Sequence, residues 1–138
     1  MFFVKNKKGN KDINLIKVAA LLIHVAKIDE NFSEIEEKII KKTLIEMGAE
    51  KDALLSILKD AKKIDENSNQ ILEFTKEVKS MNEINKIKIL ETLWKIIYSN
   101  NEADMYETSL MRRLEGLLYI DSKTMGNIKQ KIKNKYLK

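Results

Sequence analysis

The stretch that decides the fold is LIHVAKIDENFSEIE at residues 22–36, which returns in altered form as LWKIIYSNNEADMYE at residues 93–107. Adding 71 to a residue number in the first copy leads to a similar residue in the second. Each copy contains an apolar helix, a short polar turn and the start of an amphipathic helix. This internal repeat predicts two related helical hairpins packed together with pseudo-twofold character.

Both copies carry the same helix-start signal after the turn. Ser33 precedes Glu36 by three residues, and Asp104 precedes Glu107 by three. In such a capping box, the short polar side chain and the glutamate each accept a hydrogen bond from a backbone N–H at the helix start. The pattern predicts that the second helix of each hairpin begins here.

The rest of the chain also has an all-α pattern. It contains no proline, its Leu, Ile, Glu and Lys favour helix, and no useful stretch alternates as a strand does. We predict a compact bundle of about seven helices, at about 12–27, 33–47, 51–62, 70–79, 83–99, 104–118 and 122–136. Gly48 is the predicted stop of the second helix, and Asn82 and Ser122 are the predicted N-caps of the fifth and seventh.

Most core positions follow from helical spacing, and residues 18–26 form an apolar run predicted to be buried on most sides. The other side chains predicted to face inward are Ile35, Ile39, Ile40, Leu44, Met47, Leu54, Leu55, Leu58, Ile71, Phe74, Val78, Ile84, Ile87, Leu90, Leu93, Trp94, Ile97, Tyr106, Leu110, Leu114, Leu117, Leu118, Met125, Ile128, Ile132 and Tyr136.

Length and composition predict a single soluble domain. The 138 residues fit one all-helical domain at 12–138, preceded by a basic tail at 1–11. No cysteine is present, which excludes disulfides and thiolate metal sites. The longest apolar run is about half of the ~20 residues that a membrane span needs. Because no signal peptide is recognisable either, we expect a cytoplasmic protein.

The charge is divided between the domain and its ends. Residues 12–121 hold 16 Lys and Arg against 21 Asp and Glu, a net charge of −5, whereas residues 1–11 and 122–138 carry four and six lysines and no acid. The last helix therefore has three interpretations. We prefer docking of its apolar stripe on the acidic domain, then contact with an anionic membrane surface. Nucleic-acid binding is the least favoured.

Two segments resemble the TerB (tellurite-resistance-associated) family. Residues 21–29 with 33–36 resemble its first signature, and residues 93–100 with Glu107 and 110–114 resemble its second. The segment 73–75 also matches, and the resemblance covers about residues 15–129. It implies an all-helical, non-enzymatic interaction or stress-response module with protein partners, placed near the cytoplasmic membrane face.

The resemblance also implies a divalent-cation site at the acidic turns. The candidate ligands are Asp29, Glu36, Asn100 and Glu107, since oxygen ligands suit calcium or magnesium. The alternative, which we prefer, is that these residues cap helices and favour the positive helix ends. This chain departs from the family at the turns, where Glu30 and Asn101 replace glycines and Asn100 replaces an aspartate.

No catalytic residues are predicted and no cofactor is certain. His24 is the single histidine and lies in an apolar helical run, so we expect a packed or half-buried side chain without chemistry. The alternative to a protein-binding module is a nucleic-acid or anionic-lipid binder that uses the basic ends of the chain.

Overall fold

The computed structural model describes residues 15–27, 33–66, 71–99 and 105–136, with the side chains of residues 105 and 106 excepted. In these ranges, a short 3₁₀-helix (Lys51–Ala53) accompanies seven α-helices: α1 (15–26), α2 (Glu34–Glu46), α3 (Leu54–Glu66), α4 (Leu72–Lys79), α5 (Glu83–Tyr98), α6 (Met105–Leu117) and α7 (Ser122–Tyr136). The predicted all-α class is confirmed. The predictions for Asp104, for the turn at 28–32, for the turn at 99–102 apart from Ser99, for the tail at 1–11 and for the Tyr106 side chain lie outside the described residues.

Helices α1 and α5 are the most deeply buried. Residues 18–23 of α1 are fully buried, as the apolar run predicts. On α5 the predicted core residues Leu90, Leu93, Trp94 and Ile97 are buried too. α7 packs most extensively on α5, and α2 and α4 also contact it. The amphipathic helices pack around α1 and α5 and shield these two apolar helices from solvent.

A buried hydrogen bond joins the two copies of the repeat. The hydroxyl oxygens of Thr43 on α2 and Thr92 on α5 are 2.7 Å apart. Because the Thr92 hydroxyl donates to the carbonyl of Lys88 at 2.9 Å, its oxygen accepts from Thr43. The predicted packing of one hairpin on the other is present here, where α2 crosses α5.

The repeat continues into a third helix that the sequence pattern did not reveal. With the same offset, three buried positions of α3 correspond to three buried positions of α7. The pairs are Leu54 with Met125, Ile57 with Ile128, and Ala61 with Ile132. Each copy therefore contains three helices, α1–α3 and α5–α7, and α4 lies between them in the chain.

Several predicted core positions are wrong. Ile35, Ile84 and Leu55 are exposed, Leu55 to 73%. In α2, the buried stripe begins at Glu36, because the capping box turns this side chain inward and leaves Ile35 on the outer face. In α3, the buried positions recur at three- and four-residue spacing from Leu54. Leu55 is one residue later and therefore lies on the solvent-exposed face of the helix.

The ends of two helices also differ from the prediction. The sequence predicts that the third helix ends near residue 62 and that residues 65–69 form a polar loop, whereas α3 runs to Glu66 and includes Asp65. α7 is capped by Asp121 and not by Ser122, because the Asp121 carboxylate accepts from the Thr124 amide at 2.7 Å. At the other end of α7, Tyr136 is exposed, since the last turn extends beyond the core.

None of the helices in the described ranges has the length and apolar character needed to cross a membrane.

Candidate functional site

Glu36, one of the predicted cation ligands, is part of the capping box of α2. Its carboxylate accepts a hydrogen bond from the Ser33 amide at 2.8 Å, and the Ser33 hydroxyl accepts from the Glu36 amide at 3.2 Å. The Glu36 side chain is only 1% exposed. The predicted capping role of Glu36 is therefore confirmed.

Glu107 has the equivalent place in the second copy. It is the third residue of α6, as Glu36 is of α2, and it is 5% exposed. The other two candidate ligands, Asp29 and Asn100, lie outside the described residues. Within the described ranges, no group of three or more His, Asp or Glu side chains is arranged to hold a metal ion.

A second polar cluster, which the sequence did not predict, joins α1 to α3. His24 Nδ1 lies 2.9 Å from Asp65 Oδ1, and Lys27 Nζ lies 3.3 Å from Asp65 Oδ2. Asp65 is 8% exposed, whereas His24 is half-buried. The half-buried position predicted for His24 is therefore correct, and its partner is a carboxylate that the prediction placed in a loop.

A signal for Asp65 was present in the sequence. The buried positions of α3 continue at helical spacing through Ala61 to Asp65, so that the carboxylate lies on the inner face. A buried carboxylate needs partners, and His24 on α1 and Lys27, which directly follows α1, supply them. The contacts bind both carboxylate oxygens to α1 and thus hold α3 against it.

A cleft lies among α5, α6 and α7. This cleft has a volume of about 160 Å³ and is lined by Trp94, Thr108, Met111, Arg112, Glu115, Ser122, Met125, Gly126 and Lys129. The indole Nε1–H of Trp94 points at the Met125 sulfur at 3.4 Å. Lys129 Nζ lies 5.3 Å from the centroid of the indole ring. The Trp94 ring also stacks on Tyr98, with centroids 5.7 Å apart, and both side chains are buried.

A family model of the tellurite resistance protein TerB matches residues 15–130. The chain belongs to the TerB family. No curated protein and no solved structure matches the chain significantly. The family match extends from the start of the described part of α1 into α7, in agreement with the resemblance expected over residues 15–129. In this TerB domain, both copies of the repeat, and the cleft, fall almost wholly within the family segment.

The last helix of the TerB domain docks on the domain itself, as the preferred interpretation predicted. Met125, Ile128 and Ile132 are buried, and Lys131 Nζ lies 2.8 Å from Glu91 Oε2 on α5. This hydrogen bond raises the pKa of Lys131 above its ordinary value. The docking uses the apolar stripe and leaves lysines on the outer side of α7.

Two ionisable groups near the end of α5 are affected by burial. Burial raises the pKa of Tyr98. Burial, followed by the positive charge of Lys135 on α7, lowers the pKa of Lys95. The basic last helix therefore acts electrostatically on the helix beneath it.

Proposed function

We propose that this TerB-family chain is a non-enzymatic module that binds another protein in a stress-response assembly at the cytoplasmic face of the membrane. The proposal depends on the observation that buried polar side chains bond to other side chains or to helix ends within the scaffold. Glu36 completes a helix cap, Thr43 bonds Thr92 between helices, and Asp65 joins α3 to α1. Acid–base catalysis needs such groups positioned around a substrate pocket, whereas these groups stabilise the helical scaffold.

The test is recovery of a protein partner from native cells. The full chain, tagged and expressed at its natural level, is crosslinked and purified with and without a chelator. We expect the same protein in every replicate, absent from a control with the tag alone. Recovery of no protein above that control would contradict the proposed function.

A divalent cation at the acidic turns is the second part of the proposal. Asp29, Glu36, Asn100 and Glu107 offer oxygen atoms, which calcium and magnesium prefer. Calorimetric titration with calcium, magnesium and zinc should give heat with one of them, and the heat should disappear in Asp29→Ala. Absence of heat, together with an unchanged melting temperature in the presence of metal, would remove the cation from the proposal.

The alternative function is binding of nucleic acid or anionic lipid through the basic ends. The lysines on the outer side of α7 favour it, since residues 122–136 contain no acid. Binding to duplex DNA or to anionic vesicles should then weaken steeply with salt. Because the apolar side of α7 is in the core, the test requires Lys123→Gln, Lys133→Gln and Lys135→Gln together, and not deletion of the helix.

A further inference from the structure

The cleft among α5, α6 and α7 is lined by residues that differ in chemistry from those at the matching positions of the first copy. Lys129 corresponds to Leu58, which is 3% exposed and packs in the core, and Glu115 corresponds to the buried Leu44. Two buried leucines of the first copy are thus replaced by charged side chains that line a cleft in the second. The charged lining is therefore particular to the second copy.

Gly126 widens the opening. A Cβ atom built on Gly126 would meet no heavy atom within 4 Å, so space remains above the helix backbone at this point of the cleft. The equivalent residue in the first copy is Leu55. Glycine inside a helix is unfavourable by about 1 kcal/mol relative to alanine. Here the missing side chain leaves space above Trp94 and Met125, which are themselves only 2% and 6% exposed.

The volume limits what the cleft can hold. Sites for small molecules usually measure about 300–1,000 Å³, and this cleft measures about 160 Å³. It therefore fits one side chain of a partner and not a nucleotide or a cofactor. The indole of Trp94 and the thioethers of Met111 and Met125 offer an apolar, polarisable floor for such a side chain.

The charged residues around the cleft determine which partner residues can flank that apolar side chain. Arg112 is exposed and lines the cleft, and Lys129 lies on the other side, over the indole ring. The whole of α7 lacks acidic residues, so the field on this side is positive. Glu115 also lines the cleft, so the carboxylates of a ligand would have to lie beside Arg112 and Lys129 and away from Glu115.

We propose that this cleft binds an acidic segment of a partner protein, with one apolar side chain on Trp94 and flanking carboxylates beside Arg112 and Lys129. The inference deepens the proposed function and rests on it. Large apolar anchors that fill a pocket, surrounded by charged contacts, carry most of the binding energy in many protein interfaces.

The first experiment uses capped peptides of defined sequence and the full-length chain. The probe is Asp-Glu-Leu-Glu-Asp, with versions that carry Phe or Ala in the centre and a version with Asn and Gln in place of the acids. Trp94 is the sole tryptophan, so its fluorescence reports binding at the cleft. We expect the peptide with Leu or Phe in the centre to bind. The Ala peptide should bind about tenfold more weakly, and the affinity of the neutral version should be lower by a similar factor.

Variants locate the binding on the protein. Gly126→Leu places an apolar side chain in the cleft, where its Cβ meets no heavy atom within 4 Å, and should weaken binding at least about tenfold. Gly116→Leu on α6, where a Cβ also meets nothing within 4 Å, is the matched control and should bind as the original chain does. Lys129→Gln should weaken binding of the acidic peptide, whereas Lys133→Gln outside the cleft should leave it nearly unchanged.

The results also separate this inference from the proposed function. No binding of any acidic peptide, or equal binding by Gly126→Leu, overturns the cleft proposal. The cleft proposal is also overturned if the chain binds duplex DNA or anionic vesicles, and if Lys129→Gln weakens that binding whereas Gly126→Leu leaves it unchanged. A partner recovered from cells equally by the original chain and by Gly126→Leu would leave the proposed function intact and refute the cleft as its site. Recovery of no partner would refute the proposed function itself.

Discussion

Gly48 and Tyr119 occupy the same position in the two copies of the repeat, and both have a left-handed backbone, with φ of 112° and 56°. Each follows a helix whose end has the same hydrogen-bond pattern. The amide of Ala49 donates to the carbonyl of Leu44 at 2.8 Å, and that of Ile120 to Glu115 at 3.0 Å. This is the glycine-terminated helix end known as the Schellman motif. In the second copy, a tyrosine takes the place of the glycine.

Tyr119→Gly should stabilise the protein. A left-handed conformation costs a residue with a Cβ roughly 1–2 kcal/mol, and glycine avoids most of this cost. Part of the gain is offset because the Lys79 ammonium, 4.3 Å from the Tyr119 ring centroid, loses its contact. We expect a net gain of about 1 kcal/mol, measured by urea unfolding.

The matched change in the first copy should have the opposite sign. Gly48→Ala places a Cβ on a backbone with φ of 112°, so it should destabilise the protein by about 1 kcal/mol or more. Equal effects of the two substitutions would contradict the equivalence of these helix ends. Tyr119→Gly in a Lys79→Gln background isolates the backbone effect from the loss of the cation–π contact.

The hydrogen bond between Thr43 and Thr92 should contribute to stability as a coupled pair. Thr43→Val and Thr92→Val keep the side-chain shape. Thr92→Val should cost about 1–2 kcal/mol because it leaves the buried Thr43 hydroxyl without this acceptor, and Thr43→Val should cost less, since Thr92 still donates to the Lys88 carbonyl. The double substitution should cost less than the sum of the two, since no hydroxyl is then left unpaired. Additive losses would mean that the hydrogen bond does not connect α2 to α5 energetically.

These contacts show why the sequence predicts the helices better than their partners. The repeat, the caps at Ser33 and Asn82 and the stop at Gly48 are local patterns, and all three caps are present. The pairing of His24 with Asp65 joins residues 41 positions apart, and no local pattern carries that information. The third helix of the repeat was missed because α3 and α7 share buried positions but few identical side chains.

The cleft was even less accessible to prediction. Trp94, Arg112 and Lys129 lie on three different helices, so their meeting depends on how α7 packs. In the sequence, Trp94 is simply a core residue, and Lys129 is one lysine among many. Only the comparison of the two copies in the structure shows that Lys129 replaces a buried leucine.

Asp65→Ala should destabilise the protein by about 2 kcal/mol, because His24 and Lys27 lose a buried carboxylate. The loss should be largest in the last turn of α3, which hydrogen exchange measures residue by residue. Lys63→Ala, an exposed change in the same helix, is the control and should have little effect. Equal exchange in both variants would show that the cluster does not hold α3.

Lys95 should make stability depend on pH in the alkaline range. Its pKa in the folded protein is lowered from 10.5, chiefly by burial and then by Lys135. The folded state therefore binds fewer protons than the unfolded state between the two pKa values, so the Lys95 contribution to stability increases as pH rises through that window. Lys95→Met should remove this increase and stabilise the protein at neutral pH.

The measurement for Lys95 compares urea unfolding of the original chain and Lys95→Met across neutral and alkaline pH. Tyr98, whose pKa is raised by burial, opposes the trend, because a raised pKa removes stability as pH rises through its own window. Tyr98 is present in both proteins, so its effect cancels in the difference. A difference that does not change with pH would contradict the prediction.

Because α7 is part of the core, Ile132→Ala should destabilise the whole domain and not only the end of the chain. Ile132 is 1% exposed on α7, which packs on α5, and Ala61 at the equivalent position of α3 is buried too. Removing a buried isoleucine side chain usually costs about 2–5 kcal/mol. Calorimetry should show one cooperative transition at lower temperature, while Lys133→Ala, on the exposed side of the same helix, should leave the transition nearly unchanged. If Ile132→Ala and Lys133→Ala lowered the transition temperature by equally small amounts, α7 would not be part of the core. Its apolar stripe would then be free to bind a membrane or nucleic acid, and its docking on α5 would be too weak to define the cleft beside Trp94.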